Sequence, residues 1–336
     1  MDWNIIGHQK IIKYLQYSLQ HDKLSHAYLF YGPRQLGKNV VVKQFAKSIL
    51  CLHHGNKKTK ANIPCGECEA CLQFDLHTHA DVYHLEKDPD SKNISVEEVR
   101  NLIKKLSSRT FFGNYKISII SGADQLSLGA ANALLKTLEE PTPNTIIILT
   151  AGSINNLPKT ILSRVQKIKF LPVAKSDIYQ SLVTKYSIPR EDALHLSSIA
   201  AGRPGRALLF MQTRSIWQPY LQNLNTFFGI FSQKKYERLA FASELLDKYQ
   251  TLAEKNKNLL PLFNLWQLIL RDILLLKLSL PDKIINTRAR MALEKIEPYL
   301  SLQKIYMLNL AIEHSRMFLD KNSNSKLVLE QLLLKF

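Results

Sequence analysis

Two groups of residues in this chain have the types and spacing to do chemistry. The first lies in "LFYGPRQLGKNVVVKQFA", where Gly32, Gly37 and Lys38 fit the pattern G-x-x-x-x-G-K. In that pattern a glycine-rich turn and a helix N-terminus aim backbone N–H groups at phosphate oxygens. A working loop continues with Ser or Thr, whose hydroxyl holds Mg²⁺, and here the residue is Asn39. The second group is Cys51, Cys65, Cys68 and Cys71, all the cysteines of the chain in one 21-residue window.

Hydrolysis of a nucleotide needs Mg²⁺ held by the loop hydroxyl and by an acid at the end of a second buried strand, and a residue that orients the attacking water. The strand in "KISIISGADQL" ends in Ser121-Gly122 instead. Asp124 comes two to three residues too late to substitute, and suits a cap on the following turn equally well. The expectation is a chain that does not hydrolyse ATP and binds it weakly or not at all.

Cys51-x13-Cys65-x2-Cys68-x2-Cys71 supplies four thiolates, the number a closed tetrahedral structural Zn²⁺ site requires. Gly66 in "CGECEAC" lets backbone N–H groups turn toward sulfur. Disulfides and an iron–sulfur cluster are the rival readings. His53, His54, His77 and His79 are alternative ligands nearby, expected to be surface or packing residues because four thiolates already complete the site. Such a site has no open position for catalysis and would stiffen an inserted loop.

These residues need elements to hold them. "HAYLFYG", "DVYHLE", "YKISIISG", "NTIIILTAG" and "VQKIKF" read as strands. Between them, "IIKYLQYSLQ", "KNVVVKQFAKSILC", "SVEEVRNLIKKLSS" and "GAANALLKTLEE" read as helices, the third entered through a Ser95-x-x-Glu98 capping box and the fourth stopped before Pro141 and Pro143. Alternation of this kind implies a mainly parallel α/β sheet covered on both faces. "HHGNKKTKANIPCGECEACLQF" reads as polar and loop-like. Past Phe170 three short helices follow, with Gly202, Pro204 and Gly205 turning sharply before the third, and from about residue 213 the chain is helical throughout.

At 336 residues the length suits two or three domains. The formal charge is 45 − 28 = +17, which suits an anionic partner, nucleic acid first among them, or simply a solubilising lysine-rich surface. The start "MDWNIIGHQKIIKYLQ" has no apolar core of signal-peptide length, so a reducing, cytoplasmic setting is expected. The most apolar region, residues 258–280, is interrupted by Asn264, Gln267, Arg271, Asp272 and Lys277 and reads as a buried helix, with no membrane span expected.

"ANALLKTLEEP" and "LPKTILSRVQKIKF", together with the four-cysteine insertion after the phosphate-loop helix, make the chain resemble bacterial clamp-loader subunits of the AAA+ class, over nearly its whole length. The resemblance implies an AAA+ α/β domain over residues 1–170 with the zinc module at about 51–71, a helical lid over 171–212, and a C-terminal helical collar over 213–336 that joins a ring of subunits. It also implies a non-hydrolysing stator, a subunit of the DNA polymerase III holoenzyme with no competent active site of its own. Its partners would be motor and clamp-opening subunits in a hetero-oligomeric ring, the sliding clamp, and primed DNA held through its backbone.

In such a stator a Ser-Arg-Cys motif projects an arginine into the neighbouring motor's ATP site. Here it stands as Ser163-Arg164-Val165, with the arginine kept and the third position changed. Arg164 could instead form a surface ion pair. Thr150 matches the first sensor, which reads the γ-phosphate in active members, and the second-sensor arginine maps onto Gly205 and is therefore absent. Asn132 and Lys136, on the polar face of "GAANALLKTLEE", could approach DNA phosphates. An autonomous DNA-remodelling ATPase and a zinc-dependent nucleic-acid-binding protein on an AAA+ scaffold are the rival functions.

Overall fold

Runs of β-branched residues flanked by turn residues favour extended chain, and each of the five strand expectations is met in the computed structural model, which describes residues 3–54, 63–111, 115–212, 214–321 and 323–336. The strands are β1 (Ala27–Tyr31), β2 (Val82–Glu86), β3 (Lys116–Ser121), β4 (Thr145–Ala151) and β5 (Gln166–Lys169). They form one parallel sheet in the order β2-β3-β4-β1-β5. Leu29 of β1 lies opposite Leu149 of β4 on one side and Lys167 of β5 on the other.

Because successive side chains of a strand point to opposite faces, β1 feeds two cores. Tyr28 and Phe30 pack with Phe45 and Ile49 of α2 (Lys38–Leu50), whereas Ala27 and Leu29 join Leu134 and Leu138 of α5 (Leu128–Glu139). The helices α1 (Gln9–Gln20), α3 (Glu69–Asp75), α4 (Val96–Leu106) and α6 (Lys159–Leu162) complete the cover. The capping box of α4 is made as expected: Glu98 N donates to Ser95 Oγ at 3.3 Å and Ser95 N donates to Glu98 Oε2 at 2.7 Å. The ends of β1, β3 and β4 meet on one edge of the sheet, where open α/β sheets bind ligands.

The remaining helices are α7 (Lys175–Tyr186), α8 (Arg190–Ile199), α9 (Pro204–Gln212), α10 (Arg214–Ser232), α11 (Lys235–Leu246), α12 (Leu252–Lys277), α13 (Arg290–Ile296), α14 (Leu302–Asp320) and α15 (Ser325–Leu333). The chain divides into two units, one of Met1–Ser181 with Gly202–Arg206, the other of Leu182–Ala201 with Ala207–Phe336.

In the second unit α12 is the central helix. By length and composition it could cross a membrane, but half of its most apolar stretch is buried. Leu259, Phe263, Trp266, Ile269 and Ile273 face the interior, and Trp266 meets Phe227 and Phe336 edge to face. Asp272, fully buried, accepts N–H groups from Ile285 and Asn286. Three N–H donors of this kind satisfy a buried carboxylate inside protein, so α12 is the buried helix expected from its sequence.

Two local expectations need correction. The segment expected to be loop-like contains α3, because Ala70, Cys71 and Phe74 bury one face of a helical turn beneath the cysteine cluster; residues 55–62 of that segment lie outside the described residues. Pro204 and Gly205 do not make the turn before α9 but open the helix, a position where proline's missing N–H costs nothing. The turn itself falls at Ala201 and Gly202, both with positive φ.

Candidate functional site: phosphate loop, cysteine cluster and a tethered arginine

The loop between β1 and α2 keeps the frame that phosphate binding requires. Gly32 N donates to Ala151 O at 3.2 Å, and Gly32 has φ +143 with room for no side chain: a Cβ there would stand 2.5 Å from Phe170 O. Gly37, at φ +95, precedes α2, and a Cβ there would meet nothing within 4 Å. The loop borders a cleft of 550 Å³ that Lys38, Asn39, Ser121, Gly122, Asp124 and Thr150 help to line.

Inside the cleft three polar side chains, Lys38, Thr150 and Asp124, are engaged by the protein's own backbone. The ammonium of Lys38 turns back on the loop, donating to Gly32 O at 2.5 Å and Pro33 O at 2.8 Å. Burial pushes Lys38 below its ordinary pKa; the Asp124 carboxylate opposes this, and Arg34 and Arg203 add to it. Thr150, buried, accepts from Gly122 N at 3.2 Å. Asp124 does not cap the following turn: Oδ2 accepts from Gly152 N at 3.0 Å and ties the end of β3 to the end of β4.

Asn39 is exposed at the first turn of α2, and Ser121 and Gly122, at the end of β3, line the same cleft. Gly205 N donates to Gln35 O at 2.9 Å, and a Cβ on Gly205 would stand 3.0 Å from that oxygen. The backbone there closes on the phosphate loop and leaves little space for a sensor side chain.

Four sulfurs lie together at the module. The Sγ atoms of Cys51, Cys65, Cys68 and Cys71 fall within 4.8 Å of one another, and none forms a disulfide. Cys65 and Cys71 are 3.9 Å apart, against about 3.8 Å for the edge of a tetrahedron with Zn–S bonds of about 2.3 Å. Gly66 at φ +81 turns the backbone so that Glu67 N and Cys68 N donate to Cys65 Sγ at 3.4 and 3.3 Å. Burial raises the Cys65 thiol, but these N–H groups and its neighbours Cys68 and Cys51 outweigh it and bring Cys65 down to about 6.

Burial raises Cys51 and Cys71. The donor set fits a metal ion that binds thiolates. No histidine joins it among the described residues: His79 Nδ1 accepts from Asp81 N, and His77 packs edge-on against His84. Trp3 Nε1 donates to Ile63 O at 3.4 Å and pins the module to the start of the chain.

Arg164 follows the single turn of α6. Its Nη1 donates to Thr160 O at 2.8 Å and Ser163 Oγ at 3.2 Å, and its Nη2 lies 2.5 Å from Glu139 Oε1. The side chains of Arg164 and Glu139 are 33% and 50% exposed. The ion pair weighed in the sequence is thus present, although nothing in it was visible in the motif. Val165, in the place of the motif's cysteine, is buried in the core beneath α5 and α6. Asn132 and Lys136 are exposed on α5.

A family model described as DNA polymerase III, delta subunit, matches residues 7–174. The DNA polymerase III subunit delta' of Bacillus subtilis (strain 168) is 26% identical over 353 residues, covering 97% of this chain and 94% of its own. Subunit tau of the same bacterium is 39% identical over 175 residues, 52% of this chain and 30% of tau, so the chain spans less than a third of that relative. A DNA polymerase III gamma subunit-related protein from Thermotoga maritima covers 95% of this chain and 97% of its own at 19% identity and a TM-score of 0.38, a likeness too low to bear on function.

Proposed function

The chain belongs to the DNA polymerase III delta subunit family, and from that premise we propose that it is the delta prime kind of clamp-loader subunit, a stator that assists ATP hydrolysis without performing it. The observation that carries this reading is a phosphate site with its frame intact and its metal half missing. Gly32, Gly37 and Lys38 keep their places, while Asn39 puts an amide where the loop hydroxyl is expected and Ser121-Gly122 put no acid at the end of β3. With Lys38 engaged by its own loop and Thr150 by Gly122, ATP binds weakly or not at all.

The contribution to catalysis comes from Arg164. In the neighbouring motor's site the oxygen of a water bonds to the γ-phosphorus of ATP as the bond to ADP breaks, the electron pair leaves with ADP, and the water's proton is taken up within that site. A guanidinium supplied in trans neutralises charge on the transferring phosphoryl group and is worth roughly 10³- to 10⁵-fold in rate. The partners on this reading are motor and clamp-opening subunits in a ring, the sliding clamp, and primed DNA.

Asn132 and Lys136 are exposed on α5, where the lysine could touch the DNA backbone without reading bases. The cysteine module holds a structural Zn²⁺. Residues 1–170, 171–212 and 213–336 act as AAA+ domain, lid and collar, and the working place is the bacterial cytoplasm, at the nucleoid.

Phosphate release by the purified chain, supplied with ATP and Mg²⁺, tests the first half of this reading. The expected result is no turnover above background. A rate of about 1 s⁻¹, at the low end of ordinary enzymes, would instead identify an autonomous ATPase.

A further inference from the structure

A guanidinium has five N–H donors. In Arg164, Nη1 gives both of its own to Thr160 O and Ser163 Oγ, and Nη2 stands in an ion pair 2.5 Å from Glu139 Oε1. The Nε–H and the second N–H of Nη2 have no acceptor among the described residues. Those two are free to serve as a fork for phosphate oxygens.

The three contacts do different jobs. Thr160 O and Ser163 Oγ belong to the same turn as Arg164 and move with it. Glu139 is the last residue of α5, a separate element that packs against α6 and is followed at once by Glu140 and Pro141. Among the described residues, only the contact to Glu139 ties the head of the arginine to a point outside its own turn.

The pair is half-exposed, and exposed ion pairs add little to stability, so its value lies in direction rather than in folding. We propose that Glu139 is a positioning residue for Arg164: it fixes the plane of the guanidinium so that Nε–H and the remaining Nη2–H meet the γ-phosphate of a neighbouring subunit's ATP. This rests on the reading of Arg164 given above. Glu139 touches neither ATP nor water and acts only through the arginine.

The test is steady-state ATPase of the reconstituted assembly containing wild type, Glu139→Gln, Glu139→Asp, Arg164→Ala or the double variant, each checked for assembly. Glu139→Gln is expected to lower kcat about tenfold, as misplacing a reacting group does, with KM for ATP and assembly unchanged. Glu139→Asp, which keeps the charge on a shorter arm, recovers part of the rate. The double variant equals Arg164→Ala alone, since Glu139 has nothing left to position. Wild-type kcat in Glu139→Gln, or a double variant slower than Arg164→Ala by the full factor of Glu139→Gln, overturns the positioning role and leaves the arginine's role standing. No effect of Arg164→Ala removes the arginine's role, and this inference with it.

Discussion

Gly32 and Gly37 both match the phosphate-loop pattern, yet they are needed for different reasons. Gly32 is squeezed between its loop and Phe170, where a Cβ would come within 2.5 Å of a backbone oxygen. Gly37 has open space and only a positive φ to satisfy. If the loop is a retained frame, the cost of substitution follows packing rather than nucleotide binding. Gly37→Ala should destabilise by about 1 kcal/mol, the price of a left-handed backbone, and Gly32→Ala by on the order of 3 kcal/mol, as overpacked core sites do. Chemical denaturation of the two variants measures this, and equal losses would contradict it. The identities at Asn39, Ser121 and Gly122 were legible in the sequence. The inward turn of Lys38 was not, because the motif does not say which acceptors its ammonium takes, and neither were the bond from Gly152 to Asp124 and the tether of Arg164 to Glu139, which depend on which strand or helix ends come to lie side by side.

Among the elements, the strands could be read because apolar runs such as Ile146–Leu149 are buried on both faces and carry no competing signal. The helix α3 was hidden because three of its seven residues, Glu69, Gln73 and Asp75, are polar, and its buried face is shared between the cysteine cluster at Cys71 and the core beside α2 at Phe74. That dependence makes a prediction. A structural Zn²⁺ contributes on the order of 10 kcal/mol to the folding of the segment it binds. The purified chain should therefore contain one zinc per molecule by elemental analysis, and Cys68→Ser, which changes the residue that leads into α3, should lose most of it and melt at a lower temperature. A zinc-free chain with an unchanged melting temperature would show that thiol packing alone holds the module.

For the whole molecule, the formal charge of +17 and the division into an α/β unit and an all-helical unit suit a subunit that works inside an assembly around an anionic polymer. The change from alternating strands to continuous helix was visible in the sequence. What it left open is the boundary, since Gly202–Arg206 returns to the first unit to close on the phosphate loop at Gln35. On the proposed function the chain lacks an ATPase of its own and completes one in a neighbour. The most direct measurement is the ATPase rate of the reconstituted clamp loader with wild type and with Arg164→Ala, at equal extents of assembly. A fall of roughly 10³-fold or more at the neighbour's site is the predicted result, and an unchanged rate would contradict the account.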